Sequence, residues 1–349
     1  MDRQLNHKLF IRAVNLFVLL VMLLVGFICA IMGITVYGPE RVMARLSERP
    51  ETQTPPQPVP DVWVAPDTSA IPNDEEGERI RYGRKLIANT AEYLGPEGKV
   101  MPISNGMNCQ NCHLEAGTKP YGNNYSAVAS TYPKFRARSG TIESIEKRVN
   151  DCFERSLNGK PLPDDSPEMK AIVAYMKWLG KDVPKGETPK GAGLVELTYL
   201  DVPADPVKGK MLYEEKCIVC HGRNGEGVKH TGTTGWLYPP LWGEQSYNTG
   251  AGLYRLSRFA GYIKANMPLG ATYLEPQLTD EEAWHIAAYV NSMPRPGKDI
   301  SKDWPDITQK PVDHPFGPYA DGFDEQQHKY GPFKPIIEQR KKLSALVKK

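Results

Sequence analysis

The chain has 349 residues, enough for two modest domains, and a formal net charge of +2 at pH 7. So small a net charge argues against a nucleic-acid-binding protein and against an acidic tail. Glycine and proline each number 31 and aromatic residues make up only 9% of the chain, so we expect a large irregular fraction and a bulky group other than protein in the core.

The first predicted element is an uncharged apolar run, "AVNLFVLLVMLLVGFICAIMGITVY", at residues 13–37. About 25 residues at ~1.5 Å each can span a bilayer, so we predict a transmembrane helix that follows a cytoplasmic segment at residues 1–12. A cleaved signal peptide is the alternative, but the run exceeds the apolar core of a signal peptide and no small-x-small cleavage site follows it. Positive residues flank both ends and leave the orientation open.

A Pro-rich tether is predicted next, at residues 38–73, which include "ERPETQTPPQPVPDVWVAPDTSAIP". Such sequences are extended and semi-rigid, with ~3.1 Å of length per residue. The tether would therefore hold the following domains at a distance from the membrane and give them reach toward partners.

Two copies of the pattern C-x-x-C-H follow, "CQNCH" at residues 109–113 and "CIVCH" at residues 217–221. The pattern is typical of c-type haem attachment, because two thiols at this spacing reach both vinyl groups of one porphyrin and the adjacent histidine meets the iron. A zinc site would need two further ligands per pair, and a thioredoxin-like pair would need a βαβ context. We therefore predict two covalently bound haem c groups, held by Cys109, Cys112, His113, Cys217, Cys220 and His221.

Haem attachment also predicts the location, because it takes place outside the bacterial cytoplasm. We expect a single-pass protein of the bacterial inner membrane with its haem domains in the periplasm.

Each haem motif lies between an opening and a closing amphipathic helix. The opening helices begin near Glu78 and at Asp205, and the closing helices follow Ser166 and Thr279. The two closing helices align on the dipeptides Ala174-Tyr175 and Ala288-Tyr289.

This order of elements resembles the class I cytochrome c fold, in which two crossing helices clasp the haem. We predict a mainly α chain with two class I cytochrome c-like domains in tandem behind the N-terminal transmembrane helix. The predicted divisions are a first domain at 74–182 with the catalytic haem, a linker at 183–204, a second domain at 205–294 with the electron-transfer haem, and a Pro/Gly-rich C-terminal tail at 295–349 that wraps over the domains.

Each iron needs a second axial ligand or keeps an open position. In the second domain Met267 lies on a loop closed by Pro268, as in many cytochromes with His/Met ligation, and Met293 is the competing candidate. Counting back from the aligned tyrosines leads in the first domain to Cys152 or Phe153 instead. We predict ligation by Cys152; the alternatives are a buried structural cysteine and ligation by a methionine of the closing helix, Met169 or Met176.

Cys152 belongs to the segment 142–157, whose apolar residues recur on one helical face. A thiolate ligand lowers the potential of its haem and methionine raises it, so electrons would enter at the first haem and leave through the second. Arg148 and Ser156 lie on the same helical stripe as Cys152, where a guanidinium favours the thiolate and can bind an oxyanion. Arg136 and Arg138 can add to this patch, although a single arginine is often only a solvated surface residue.

Four segments, "NGMNCQNCHLEAG", "NDCFERSLNG", "IKANMPLG" and "KPVDHPFGPYADGF", together resemble the diheme thiosulfate dehydrogenases, a family that includes tetrathionate reductases. The similarity runs from about Arg81 to Phe333. It implies a reversible reaction that joins two thiosulfates into tetrathionate and releases two electrons. It also implies an active site at the first haem, with His113 and Cys152 as axial ligands and Arg138, Arg148 and Ser156 near the substrate.

The resemblance leads to a predicted mechanism, in which Cys152 leaves the iron and forms a sulfur–sulfur adduct with one thiosulfate, which a second thiosulfate attacks. The electron partner would be a periplasmic cytochrome or a membrane quinone-linked protein. Some members of the family carry a lysine that exchanges with the second-haem methionine, whereas this chain has Asn266. The alternative function is a membrane-anchored diheme electron carrier of a respiratory complex without its own substrate.

Overall fold

The computed structural model describes residues 12, 14–29, 62–232 and 234–347. The chain divides into two compact parts, Met1–Pro60 and Asp61–Lys349. In the first part, residues 14–29 form helix α1. The remainder of the predicted transmembrane segment, at 30–37, lies outside the described residues, as do residues 1–11 and the tether residues 38–61. Over the described ranges, the structure contains no helix that is both long enough and apolar enough to cross a membrane.

The second part is mainly helical, as predicted. Its longer helices are α2 (Glu75–Ala88), α3 (Ile145–Arg155), α4 (Pro167–Leu179), α5 (Pro206–Lys216), α6 (Leu256–Asn266), α7 (Asp280–Ser292) and α8 (Lys334–Val347). Short helices lie at Thr90–Leu94, Leu114–Gly117, Val128–Thr131, Ile218–His221 and Glu325–Tyr330, with 3-10 turns at Thr68–Ala70, Cys109–Asn111, Gly252–Tyr254 and Ile307–Gln309.

Two small antiparallel hairpins interrupt the helices. The first joins β1 (Lys134–Arg136) to β2 (Thr141–Glu143), and the second joins β3 (Val228–Lys229) to β4 (Trp236–Tyr238). The first hairpin shortens the helix predicted over 142–157. Because residues 141–143 pair with β1 and the Ser144 side chain accepts a hydrogen bond from the Lys147 backbone N–H at 3.2 Å, α3 begins only at Ile145.

The opening and closing helices pack against each other in both haem domains, α2 on α4 and α5 on α7. At each crossing a glycine brings the two backbones together. A Cβ atom added at Gly83 would lie 1.9 Å from the carbonyl oxygen of Ala171, and one added at Gly209 would lie 1.9 Å from that of His285. Ala171 lies one helical turn before Tyr175, and His285 lies one turn before Tyr289, the two tyrosines on which the closing helices align. The two domains therefore use the same helix crossing.

The C-terminal tail packs on both haem domains. Phe333 and Ile336 are buried in the core of the second domain, and they lie at the start of α8. The tail also contacts the first domain, where the Trp304 backbone N–H donates to the carbonyl oxygen of Arg138 at 2.7 Å. The tail is thus more helical than its proline and glycine content predicts, because its few apolar residues reach the second core.

Candidate haem and substrate site

The Cys152 sulfur lies in a charged environment on α3. Arg148, one helical turn earlier, donates from Nη1 to Sγ at 3.2 Å. Burial raises the pKa of Cys152, whereas the charge of the Arg148 guanidinium is the largest effect that lowers it, and the resulting pKa lies below the usual value of a thiol. Arg148 therefore favours the thiolate form of Cys152.

Both motif histidines are oriented by a backbone carbonyl. His113 Nδ1 lies 2.5 Å from the carbonyl oxygen of Asn123, and His221 Nδ1 lies 3.1 Å from that of Pro239. A carbonyl can only accept, so Nδ1 carries the proton and Nε2 is left as an electron-pair donor. This is the arrangement of a metal-binding histidine.

The two motif thiols of the first domain are half-buried near Cys152. Burial raises the pKa of Cys109 and of Cys112 to about 12, and the charge of Cys152 adds to this effect on both. The ring of His113 stacks on Tyr125 with 4.6 Å between ring centroids. The structure therefore brings together the residues predicted for the first haem. Ligation of an iron by Cys152 stays a prediction.

In the second domain the predicted residues line one cavity of about 490 Å³. Its walls include Cys217, Cys220, His221 and Met267, whereas the competing Met293 is not among the residues that line it. The volume is within the ~300–1,000 Å³ range of cofactor sites. The geometry therefore favours Met267 over Met293 as the residue that faces His221.

The same cavity reaches the first domain, because Cys112 and Met107 also line it. At its second-domain end, Cys217, Cys220 and His221 meet mainly apolar walls and fit haem c. At its first-domain end, Cys112 is the residue of the first motif that lines it. In the described part of the chain, no three His, Cys, Asp or Glu side chains come close enough together to bind one bare metal ion.

The other predicted catalytic residues lie near Cys152 but differ in their ion pairs and hydrogen bonds. Arg138 forms a buried ion pair with Asp151, whose other oxygen accepts from Lys147 Nζ at 2.7 Å. Ser156 ends α3, and its backbone N–H donates to the Cys152 carbonyl oxygen. Arg148 makes no hydrogen bond to a carboxylate among the described residues, so its charge remains available to an anion.

The site contains residues that the sequence did not indicate. Glu143 is only 1% exposed and neither carboxylate oxygen has a hydrogen-bond partner among the described residues. Its nearest cation is Arg136, with Nε 3.9 Å from Oε2. Glu143 also raises the pKa of Arg148, after the larger effect of Cys152. No sequence pattern indicated a buried carboxylate just before α3, because the pairing of β2 with β1 that places Glu143 forms only in the folded chain.

Known proteins resemble this chain in both sequence and structure. It is 42% identical to thiosulfate dehydrogenase of Psychrobacter arcticus over 69% of this chain and 71% of the relative. It is 40% identical to thiosulfate dehydrogenase of Allochromatium vinosum over 67% of this chain and 84% of the relative. The chain belongs to the thiosulfate dehydrogenase family.

Two family models match separate parts of the chain, one around each haem motif. The model for the SoxA/TsdA cytochrome c domain matches residues 100–184, and the cytochrome c model matches residues 206–294. The first range contains one C-x-x-C-H motif and Cys152, and the second contains the other motif and Met267. Two cytochrome c domains in tandem are thereby confirmed for this member of the thiosulfate dehydrogenase family.

A solved structure agrees with this assignment. The thiosulfate dehydrogenase TsdBA of Marichromatium purpuratum, in its as-isolated form, is 31% identical, with a TM-score of 0.62 over 68% of this chain. This chain spans only 50% of that longer protein. The likeness therefore concerns the part that the two thiosulfate dehydrogenase family members share.

Proposed function

We propose that the chain interconverts thiosulfate and tetrathionate at the site around Cys152 and passes electrons through its second domain. Membership of the thiosulfate dehydrogenase family makes it a thiosulfate-oxidising cytochrome and an enzyme. The finer assignment of residues rests mainly on one observation, the 3.2 Å contact between the Arg148 guanidinium and the Cys152 sulfur.

That contact serves two needs of the reaction. A thiolate is the reactive form of cysteine, and Arg148 stabilises it although the site is buried. Thiosulfate is a dianion, and a guanidinium binds such oxyanions through two parallel hydrogen bonds. Arg148 can therefore activate the sulfur and hold the substrate next to it.

The covalent step is balanced as follows. The Cys152 sulfur bonds to the terminal sulfur of one thiosulfate, and this bond formation releases two electrons. A second thiosulfate then attacks that same terminal sulfur through its own, tetrathionate departs, and Cys152 is regenerated as a thiolate. Bound haem c supplies the acceptors for the two electrons, with Cys109, Cys112 and His113 holding one group and Cys217, Cys220, His221 and Met267 the other.

Arg138 and Ser156 have supporting roles in this proposal. Arg138 forms an ion pair with Asp151, the residue before Cys152 on α3, and so holds this part of the helix in place. Its guanidinium also adds a hydrogen-bond donor near the substrate. The Ser156 hydroxyl, one turn after Cys152, can donate to a sulfonate oxygen of the bound thiosulfate.

The relay is supported by the cavity that Cys112 of the first domain shares with Cys217 and Cys220 of the second. With haem c held by both motifs, thiolate ligation by Cys152 and thioether ligation by Met267 would give the two groups different potentials and so a direction for electron transfer. A periplasmic cytochrome or a membrane quinone-linked protein then accepts the electrons.

The proposal includes attachment to the bacterial inner membrane, with the haem domains in the periplasm. Helix α1 exposes large apolar side chains, including Phe17 at 68% and Met22 at 70%, and residues 30–37 continue the uncharged sequence. Cell fractionation tests this placement. We expect the full chain in the membrane fraction and a variant whose residues 1–60 are replaced by a cleaved signal peptide in the soluble periplasmic fraction; equal distribution of both would contradict it.

Purified holoprotein tests the function directly. Thiosulfate alone should reduce its haems, and Cys152→Ser should abolish this reduction while both haems stay attached, since the thioether cysteines are untouched. Cys29→Ser, which changes a cysteine far from the site in sequence, is the control. Inertness of the unaltered protein toward both thiosulfate and tetrathionate would favour an electron carrier without its own substrate.

A further inference from the structure

The proposed reaction brings two dianions together, and the contacts around Cys152 account for only one of them. Arg148 and the Cys152 thiolate face the thiosulfate that becomes covalently bound. The second thiosulfate must approach along the axis of the new sulfur–sulfur bond, and its negative charge needs compensation where it waits.

A second cavity, of about 270 Å³, lies at the junction of the two haem domains. It would hold about nine water molecules at ~30 Å³ each, which is room for a small oxyanion. Tyr132 and Lys134 line it from the first domain, Arg258 lines it from α6 of the second, and Glu196 from the linker also borders it. We call this cavity the outer cleft.

The side chains of the two cations in the outer cleft have no ion-pair partner among the described residues. The Lys134 ammonium group lies over the Tyr132 ring, 5.0 Å from its centroid, and makes no hydrogen bond with any described residue. The Arg258 guanidinium likewise makes no hydrogen bond in the part of the chain that the structure describes. Burial, followed by the charges of Arg136 and Arg148, lowers the pKa of Lys134, so this ammonium group gains from a bound anion.

Arg258 is in a similar electrostatic position. Burial and then Arg255 lower its pKa, while the carboxylates of Asp313 and Glu196 act in the opposite direction. Glu196 therefore offsets part of the positive charge in the cleft. It forms no ion pair with Arg258 within 4.0 Å in the described structure, so the guanidinium hydrogens stay free.

The outer cleft is connected to the Cys152 site through the β1–β2 hairpin. Lys134 on β1 pairs with Glu143 on β2, and Glu143 lies two residues before the start of α3, the helix that carries Arg148 and Cys152. Tyr132, which is 8% exposed and borders the cleft, precedes β1 by two residues, and the charges of Arg148 and Cys152 act on its pKa after the larger effect of burial.

We propose that Lys134 and Arg258 form an outer anion subsite, which binds the second thiosulfate, or the far sulfonate of tetrathionate, beside the Cys152 adduct. The assignment rests on the proposed function and adds the location of its second substrate. The exchange that this subsite serves is redox neutral. The incoming terminal sulfur supplies the electron pair of the new bond, the bond between Cys152 and sulfur breaks, and the thiolate keeps its electron pair.

The reverse exchange offers a test that needs no electron transfer. Tetrathionate, added to oxidised holoprotein without an electron donor, should leave one thiosulfate unit on Cys152 and release the other as thiosulfate. Intact-protein mass spectrometry follows the added mass over time. The double variant Lys134→Gln/Arg258→Gln should form the adduct at least tenfold more slowly at subsaturating tetrathionate, with unchanged haem spectra. Lys170→Gln, which removes an exposed charge from α4, should react at the unaltered rate.

Each remaining outcome has a defined meaning. An equal rate in the double variant and the unaltered protein overturns the subsite. A deficit that disappears at high salt also overturns it, because distant charges are screened more strongly than contacting ones, and the cations would then act only by long-range attraction. Absence of any adduct on the unaltered protein would instead refute the proposed function, so the two failures are distinguishable.

Discussion

Arg148 donates from Nη1 to the sulfur of Cys152 at 3.2 Å, one helical turn away on α3. This guanidinium has no carboxylate hydrogen-bonded to it in the described structure, so its charge is available to the thiolate and, in the proposed function, to an approaching anion.

Removal of the Arg148 charge should therefore impair catalysis strongly. We expect Arg148→Gln to lower kcat for thiosulfate oxidation by about 10²–10³-fold, the loss typical of a buried charge-stabilising donor. Arg148→Lys should have an intermediate kcat, since lysine keeps the positive charge but lacks the planar guanidinium that makes two parallel hydrogen bonds. Steady-state assays with an artificial acceptor measure this, and Arg79→Gln, on the exposed face of α2, is the control. Equal rates for Arg148→Gln and the control would contradict the role.

Met267 should control the second haem without affecting covalent attachment. In Met267→Ala the absorption typical of thioether ligation should disappear, while the haem stays bound through Cys217 and Cys220. Thiosulfate should still form the adduct on Cys152, but electron delivery to an external acceptor should slow. Met293→Ala is the matched control and should leave the spectrum intact; the opposite result for the two variants would assign ligation to Met293.

The C-terminal tail should stabilise α3 through one ion pair. Arg155 and Asp303 make two parallel hydrogen bonds, of 2.7 and 2.8 Å, and both side chains are 12% exposed. Asp303→Ala leaves a largely buried guanidinium and should lower the free energy of unfolding by about 3–5 kcal/mol. Urea denaturation followed by circular dichroism measures the loss.

A matched comparison isolates the contribution of burial to this pair. Asp182→Ala breaks the exposed pair with Lys181 and should cost only about 0–1 kcal/mol. Arg155→Ala combined with Asp303→Ala should cost less than the sum of the single changes, because no unpaired charge remains. Strict additivity would show that the two side chains do not stabilise each other.

Acid should weaken the protein partly through Asp313. Burial opposes ionisation of this carboxyl group, but Arg255 and the Ser257 hydrogen bonds outweigh it and hold its pKa below the ordinary 3.8. A carboxyl group whose pKa is lower in the folded than in the unfolded state stabilises the fold at pH values above its unfolded-state pKa. This stabilisation is lost as the pH falls through the folded-state pKa. Asp313→Asn should therefore destabilise the protein at pH 7, and the difference from the unaltered protein should shrink as pH falls below 3.8. A constant difference over this range, by urea denaturation, would exclude the linkage.

Features that depend on neighbouring residues or on a repeated pattern could be predicted from the sequence. The caps of α5 and α7 at Asp205 and Thr279 form as expected, because a cap is decided within one helical turn. The repeat of two similar domains led from Met267 to Cys152, whose ligation of the first haem stays a prediction. The helix around Cys152 was less accurately predicted, since strand pairing competes with helix formation at residues 141–143.

The chain's sequence by itself determined the two haem motifs, the two-domain repeat, and the stripe on which Arg148 and Cys152 lie, because each depends on residues that are adjacent or one helical turn apart. Only the tertiary structure decided that Glu143 lies buried near Arg148, that Asp303 holds Arg155, and that Arg258 shares a cleft with Lys134. The last two relationships join segments that are distant in sequence, and the burial of Glu143 depends on the pairing of β2 with β1. Their energies depend on burial and on charges that no local pattern encodes.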